Sequence, residues 1–108
     1  MKEDAKKAEK GEINMLNLFA FTGIVSAVKL EDKEDHPAKC EIEIKVKRPF
    51  ANYQGLYEDD VFTIEVWRGK AAELSAQAHP GDVLMAKGRI ASRRDGIAFV
   101  ADQAELIK

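Results

Sequence analysis

A chain of 108 residues, 45% of them apolar and 33% charged, is long enough for one globular domain and no more. No apolar run approaches the roughly 20 residues of a membrane span, no signal peptide is recognisable, and one cysteine excludes an internal disulfide. We therefore expect a cytoplasmic protein with no membrane partner. The net charge of −2 disfavours a strongly basic nucleic-acid binder, whose affinity would come mainly from phosphate neutralisation.

The beginning of the chain predicts an arm followed by a long strand. Residues 1–14 are expected to form a flexible charged arm, with acids and bases in balance, and residues 15–108 a single domain. Residues 15–30 are rich in β-branched and aromatic side chains, which predicts a long strand bent at Gly23. A long strand that must curve is typical of a barrel. A loop over residues 31–38 should follow.

The next segment alternates between apolar and charged residues. Cys40, Ile42, Ile44 and Val46 share one face of residues 39–48, which predicts a half-buried strand with Cys40 in the core. Residues 49–60 contain a proline, a glycine and three aromatic residues. This composition predicts a hairpin loop that begins basic and ends acidic.

A third strand is predicted over residues 61–68. Phe62, Ile64 and Val66 should face the core, while the only tryptophan, Trp67, lies on the opposite face with Val61, Thr63 and Glu65. An exposed flat ring beside the guanidinium of Arg68 is typical of a platform for single-stranded nucleic acid. A half-covered barrel wall needs the same residue types, so this stretch alone does not decide between the two.

The remaining elements complete an all-β order with one helix. Residues 70–78 predict a short helix, residues 83–93 a strand with a bend or bulge at Gly88, and residues 97–107 a last strand after a tight Asp-Gly turn. Five strands with one helix between strands 3 and 4 are the layout of the OB fold, a five-stranded Greek-key barrel. An SH3-like barrel is the alternative, but the helix position and the bent first strand favour the OB fold.

The chain resembles bacterial single-stranded DNA-binding proteins over residues 15–107. Phe19-Ala-Phe-Thr-Gly23 is similar to that family's first strand, which closes in glycine. Trp67-Arg-Gly-Lys-Ala-Ala-Glu73 resembles its Trp/Phe-Gly-Lys-x-Ala-Glu element, with one extra residue. Pro80-Gly-Asp-Val-Leu-Met-Ala-Lys-Gly-Arg-Ile90 resembles its Lys-Gly-x-x-Val-x-Val-x-Gly-x-Leu element. None of these motifs is specific alone, and the resemblance depends on their common order and spacing.

The resemblance implies a non-enzymatic protein that coats single-stranded DNA in replication, recombination or repair. Bases would stack on Phe50 and Trp67, which occupy the positions of two family aromatics, and basic side chains would bind phosphates. A packed Trp67 ring, a Phe50 that plugs the barrel mouth and a solvated basic strand face are the structural alternatives. The candidate DNA-binding residues are Lys45, Lys47, Arg48, Phe50, Tyr53, Trp67, Arg68, Arg89, Arg93 and Arg94.

The resemblance also implies how the chain assembles, and two differences from the family predict how its binding differs. Family members form dimers or tetramers, partly by pairing first strands, and residues 15–28 would be an exposed apolar edge in a monomer, so we expect a homo-oligomer. The family's acidic tail is absent after Lys108, so tail-mediated recruitment of repair proteins is not expected. The hairpin between the last two strands is cut to residues 93–96, which predicts a smaller site and weaker binding.

No enzyme or cofactor is expected from the sequence. It contains no Gly-rich phosphate loop, no nucleophile elbow and no metal-ligand cluster. Besides single-stranded DNA binding, two functions stay open: a primosomal-type dimeric adaptor that binds DNA weakly, and an OB-fold protein-interaction module that has lost DNA binding.

Overall fold

The computed structural model of the protein describes residues 14–107, so most of the predicted arm of residues 1–14 lies outside the described residues. Five strands and one helix follow in the predicted order. Their bounds are β1 (Phe19–Glu31), β2 (Lys39–Ala51), β3 (Tyr57–Trp67), α1 (Gly69–Gln77), β4 (Val83–Arg93) and β5 (Gly96–Ile107).

The strands form a closed barrel in the order β1-β2-β3-β5-β4. Neighbouring strands are antiparallel except β3 and β5, which are parallel over the pairs Ile64–Phe99 and Glu65–Val100. This Greek-key order, with α1 between β3 and β4, is that of the OB fold and confirms the predicted fold class.

The core lies inside the barrel and follows the predicted alternation. Cys40, Ile42 and Ile44 on β2 and Ile64 on β3 are fully buried, as expected from every second residue of a strand that faces the barrel. Burial raises the pKa of the Cys40 thiol, as the apolar surroundings disfavour the thiolate. From α1, Ala71 and Leu74 are buried in the same core, which explains why this short amphipathic helix forms here.

β1 changes partner where the sequence predicts a bend. It pairs with β4 over residues 19–24 and with β2 over residues 24–31, so the change falls next to Gly23. A Cβ atom on Gly23 would lie 2.6 Å from the carbonyl oxygen of Lys45. Glycine is therefore needed at this point, because the backbones of β1 and β2 approach each other too closely for a side chain.

One expectation about the first strand is wrong. The strand begins at Phe19 and not at residue 15, because the side chain of Asn17 makes both hydrogen bonds with the backbone of Ile90, at 2.7 and 2.9 Å. Met15 and Leu16, just before it, are exposed. Each half of β1 has a hydrogen-bonded neighbour on one side within the closed barrel, β4 over residues 19–24 and β2 over residues 24–31.

The predicted loop over residues 49–60 is mostly strand. β2 continues to Ala51 and β3 begins at Tyr57, with a register irregularity between Lys47 and Ala51 that accommodates Pro49. The true loop is closed by Asn52, whose side-chain oxygen accepts hydrogen bonds from the backbone N–H groups of Gln54 and Leu56. The hairpin is therefore longer and more ordered than predicted.

The other boundaries agree with the prediction to within one residue. α1 ends before Pro80 and Gly81, β4 covers the predicted residues 83–93, and the ladder between β4 and β5 slips between Lys87 and Gly88. This irregularity confirms the predicted bulge at Gly88. Among residues 14–107, no helix has the length and hydropathy that crossing a membrane requires.

Candidate nucleic-acid interface

A groove opens where β3 and β5 separate. The two strands pair only at Ile64–Phe99 and Glu65–Val100, after which β3 runs into α1 while β5 continues beside β4. The resulting space, here named the β3–β5 groove, has a volume of about 470 Å³. Polar and aromatic side chains surround an apolar floor that includes Val66 and Ala104; these side chains are Trp67, Arg68, Lys70, Arg89, Arg93 and Asp102.

Trp67 lies at the wall of this groove and is only partly buried. It pairs with Lys39 across the β2–β3 ladder, and the Lys39 ammonium lies 5.5 Å from the ring centroid. Its indole N–H donates to a carboxylate oxygen of Glu65 at 3.1 Å. The ring is thus held in one orientation while part of its surface stays accessible, as a stacking platform requires.

Arg68 occupies a strained backbone conformation at the junction of β3 and α1. Its φ of 65° lies in the left-handed region that non-glycine residues rarely adopt. Its N–H donates to the carbonyl of Ala38 at 2.7 Å, and its carbonyl accepts from the N–H of Ala71 at 3.0 Å. Such strain costs about 1–3 kcal/mol and persists where surrounding contacts impose it. Here those contacts place a guanidinium at the groove directly after the Trp67 ring.

Arg93 reaches the same groove from the end of β4 but is not free of partners. Its guanidinium donates to both carboxylate oxygens of Glu65, at 2.7 and 3.0 Å. Sequence alternation places Glu65 on the outer face of β3, yet its side chain is buried because Arg93 and Trp67 cover it. The expectation that Glu65 simply faces away from the core therefore misses a buried ion pair at the site.

A second space, the β1–β2 groove, carries two more of the predicted basic residues. Lys45 and Lys47 project from the outer face of β2, beside Ile24 of β1 and Asp59 of β3. This groove has a volume of about 450 Å³. Neither lysine forms an ion pair with another residue of the described part of the chain.

Arg48 is held by acids across the β2–β3 hairpin. Its guanidinium donates to Glu58 and Asp60, each at a shortest distance of 2.8 Å. The hydrogen bonds with Asp60 raise the pKa of Arg48, and the same contact lowers the pKa of the Asp60 carboxyl. Two acids from the acidic end of the predicted hairpin loop thus bridge to the opposite strand of the hairpin.

The other candidates lie at two turns. Phe50 and Tyr53 stand at the tip of the β2–β3 hairpin, 66% and 95% exposed. Arg94 lies exposed in the turn between β4 and β5. Trp67 lies at the other end of the hairpin, where it pairs with Lys39. Ten residues of β3 separate Trp67 from Tyr57 at the tip, a path of about 30 Å along the strand at roughly 3.3 Å per residue. Phe50 and Trp67 therefore lie far apart and do not form one aromatic cluster.

The structure brings four of the ten candidates together in the β3–β5 groove and distributes the others. Trp67, Arg68, Arg89 and Arg93 share this groove. Sequence reasoning missed Lys70 and Glu65 as members of the site. The signal for Glu65 was its position two residues before Trp67, on the same face of a strand. No group of His, Cys, Asp and Glu among the described residues is arranged to hold a metal ion.

Comparison with known proteins supports the fold. No protein-family model matches the chain, and no curated protein matches it. The chain is similar to the crystal structure of a small single-stranded DNA-binding protein from Streptomyces coelicolor, with a TM-score of 0.67 over 87% of this chain and 96% of that one. The identity is 16%, so this likeness is one of fold. At that level it confirms the resemblance found in the sequence.

Proposed function

We propose that the protein binds single-stranded DNA with little sequence preference, by stacking bases on aromatic rings and binding phosphates with basic side chains. The observation that carries this proposal is the β3–β5 groove, where the partly exposed Trp67 ring lies beside Arg68 and Arg89. A base needs an accessible ring and a phosphate needs a nearby cation, and this groove offers both. The process served would be DNA replication, recombination or repair, in the cytoplasm and without enzymatic activity.

The cations differ in how readily they would bind phosphate. Arg48 and Arg93 are paired with carboxylates. The other five basic candidates form no ion pair within residues 14–107; they are Lys45, Lys47, Arg68, Arg89 and Arg94. We propose that these five supply most of the phosphate contacts, and that the partner acids of Arg48 and Arg93 keep the affinity moderate.

The aromatic tip of the β2–β3 hairpin would form a second contact with the same strand of DNA. The bridge from Arg48 to Glu58 and Asp60 joins the two strands just before the hairpin tip, and Asn52 closes the loop, so Phe50 and Tyr53 stand on an ordered support. A strand that contacts both Trp67 and Phe50 would lie along the hairpin and pass Lys45 and Lys47 on β2.

A protein-interaction module or primosomal-type adaptor is the second candidate function. It is favoured by the exposed apolar side chains of the hairpin tip, Phe50, Tyr53, Leu56 and Tyr57, which a protein partner can also contact. We further propose self-association of the chain, supported by the exposed Met15, Leu16 and Leu18 beside β1. Sedimentation equilibrium tests this proposal: a mass above that of one chain is expected, and the mass of a monomer would contradict it.

Binding to labelled oligonucleotides separates these functions. We expect the fluorescence anisotropy of a mixed-sequence single strand to rise with protein at low salt, and much less for the same sequence as a duplex. Log affinity should fall linearly with log salt, by about 0.7 per phosphate neutralised on a single strand. A second, unrelated sequence should bind about equally. No binding at low salt, or equal binding to the duplex, would favour the protein-interaction module.

A further inference from the structure

Glu65 is the one residue with a charged or polar side chain that is buried among residues 14–107, with 7% of its surface exposed. A buried carboxylate is costly unless it is paired and hydrogen-bonded. Both Glu65 oxygens are satisfied: one accepts from the Trp67 indole N–H and from Arg93, and the other accepts from Arg93 alone. The carboxylate therefore ties a proposed stacking ring to a proposed phosphate ligand.

The contact between Arg93 and Glu65 has the form of a phosphate complex. Two guanidinium N–H groups donate to two oxygens of one anion, at 2.7 and 3.0 Å, which is the bidentate arrangement that arginine also makes with phosphate. Arg93 thus already holds an anion that belongs to the chain. A DNA phosphate that bound Arg93 in the same way would have to displace Glu65 or share the guanidinium with it.

The exposure of the two partners shows from which side such an exchange would occur. The side chain of Arg93 is 37% exposed and lines the β3–β5 groove, while that of Glu65 is 9% exposed and lies behind it. A phosphate in the groove therefore reaches the guanidinium first. Arg89, Arg68 and Lys70 line the same groove, so the position is one where a phosphate would be attracted.

We propose that Glu65 is a positioning residue with two separable effects on DNA binding, an inference that rests on the proposed function. Its oxygen fixes the orientation of the Trp67 ring, which favours stacking. Its negative charge competes with DNA phosphate for Arg93, which limits affinity and removes one phosphate contact from the salt dependence. Glu65, which lies behind Arg93, thus lowers the affinity of the β3–β5 groove for phosphate by occupying one of its arginines.

The substitution Glu65→Gln separates the two effects. The glutamine keeps a carbonyl oxygen for the Trp67 indole N–H but carries no charge to hold the Arg93 guanidinium. We expect affinity for single-stranded DNA at low salt to rise on the order of tenfold, since a charge-assisted contact with phosphate replaces the internal pair. The slope of log affinity against log salt should steepen by about 0.7, the value for one additional phosphate.

The experiment is a double-mutant cycle of wild type, E65Q, R93Q and E65Q/R93Q, titrated with a labelled single strand at several salt concentrations. Glu105→Gln is the matched control, because Glu105 is exposed on β5 outside the groove and its replacement changes net charge equally. Thermal unfolding verifies that each variant is folded. The gain seen in E65Q should be absent from E65Q/R93Q, because it depends on the Arg93 guanidinium.

Two results would overturn the inference while leaving the proposed function intact. In the first, E65Q binds single-stranded DNA no more tightly than E105Q. In the second, E65Q raises the affinity as much in the R93Q background as in wild type. Absence of any binding by wild type refutes the proposed function itself. If E65Q does not fold, side-chain NMR of the wild-type protein decides: the Arg93 guanidinium signals must shift on addition of single-stranded DNA. Unchanged Arg93 signals at saturation, with other groove signals shifted, would overturn the inference.

Discussion

Replacing Phe50 and Trp67 together by alanine is expected to lower the affinity for single-stranded DNA by on the order of 100-fold or more. Each base stacked on an aromatic ring contributes about 1–3 kcal/mol, and a loss of 1.4 kcal/mol is tenfold in affinity. Because the two rings stand about 30 Å apart along β3, the losses of binding free energy in the two single variants should add, to within about 0.5 kcal/mol, to the loss in the double variant. Affinities of the two single variants and the double variant, measured by anisotropy, test this.

The matched control for Phe50 is Leu56→Ala on the same hairpin. The two side chains are similarly exposed, at 66% and 60%, but leucine has no aromatic face. The salt slope should be the same in all these variants, because neither ring contacts a phosphate. Trp67→Ala also removes the hydrogen bond with Glu65, so the thermal unfolding of this variant must be measured as well. A Phe50→Ala variant that behaves like Leu56→Ala would exclude Phe50 as a platform.

Replacing Gly88 by alanine is expected to destabilise the barrel by about 1–3 kcal/mol or more, the range for overpacking a tight site. A Cβ atom at this position would overlap the carbonyl oxygen of Val100 and lie 2.8 Å from the backbone nitrogen of Asp102. These are backbone atoms of β5, so they can move only if the ladder with β4 shifts. The midpoint of chemical denaturation gives the change in the free energy of unfolding.

Gly69→Ala is the control for this substitution. Gly69 is the first residue of α1, and nothing lies within 4 Å of a Cβ atom built there. Alanine restricts the unfolded chain more than glycine does, so this variant should be as stable as wild type or up to about 1 kcal/mol more stable. Equal stability of Gly88→Ala and wild type would show that β4 and β5 are not packed as closely as described.

The strands and the helix could be predicted from short stretches of sequence because each is determined by the preferences of residues close together in the chain. The alternation of Cys40, Ile42 and Ile44 has a period of two, which only a strand with one buried face requires. Pro80 and Gly81 end α1 through their own backbone preferences, and Gly88 marks the irregularity in β4. These signals, with the position of the helix, were sufficient for the OB fold.

The sequence failed where a contact joins residues far apart in the chain. Arg93 covers Glu65 across 28 positions, so no alternation rule could show that this outward-facing carboxylate is buried. Residues 49–60 were predicted as a loop because Pro49 and Gly55 disfavour strands. The cross-strand bridge from Arg48 to Asp60 and the closure by Asn52 nevertheless extend both strands. The placement of candidate residues in two grooves likewise depends on barrel closure.

Binding of single-stranded DNA in the β3–β5 groove is tested most directly by the fluorescence of Trp67. Trp67 is the only tryptophan, so its emission reports on this one site. Titration with an unlabelled mixed-sequence strand at low salt should quench the emission, and added salt should restore it. Quenching that salt reverses is the predicted result. Unchanged emission from a folded protein, at concentrations where the strand is bound or in excess, would contradict the claim.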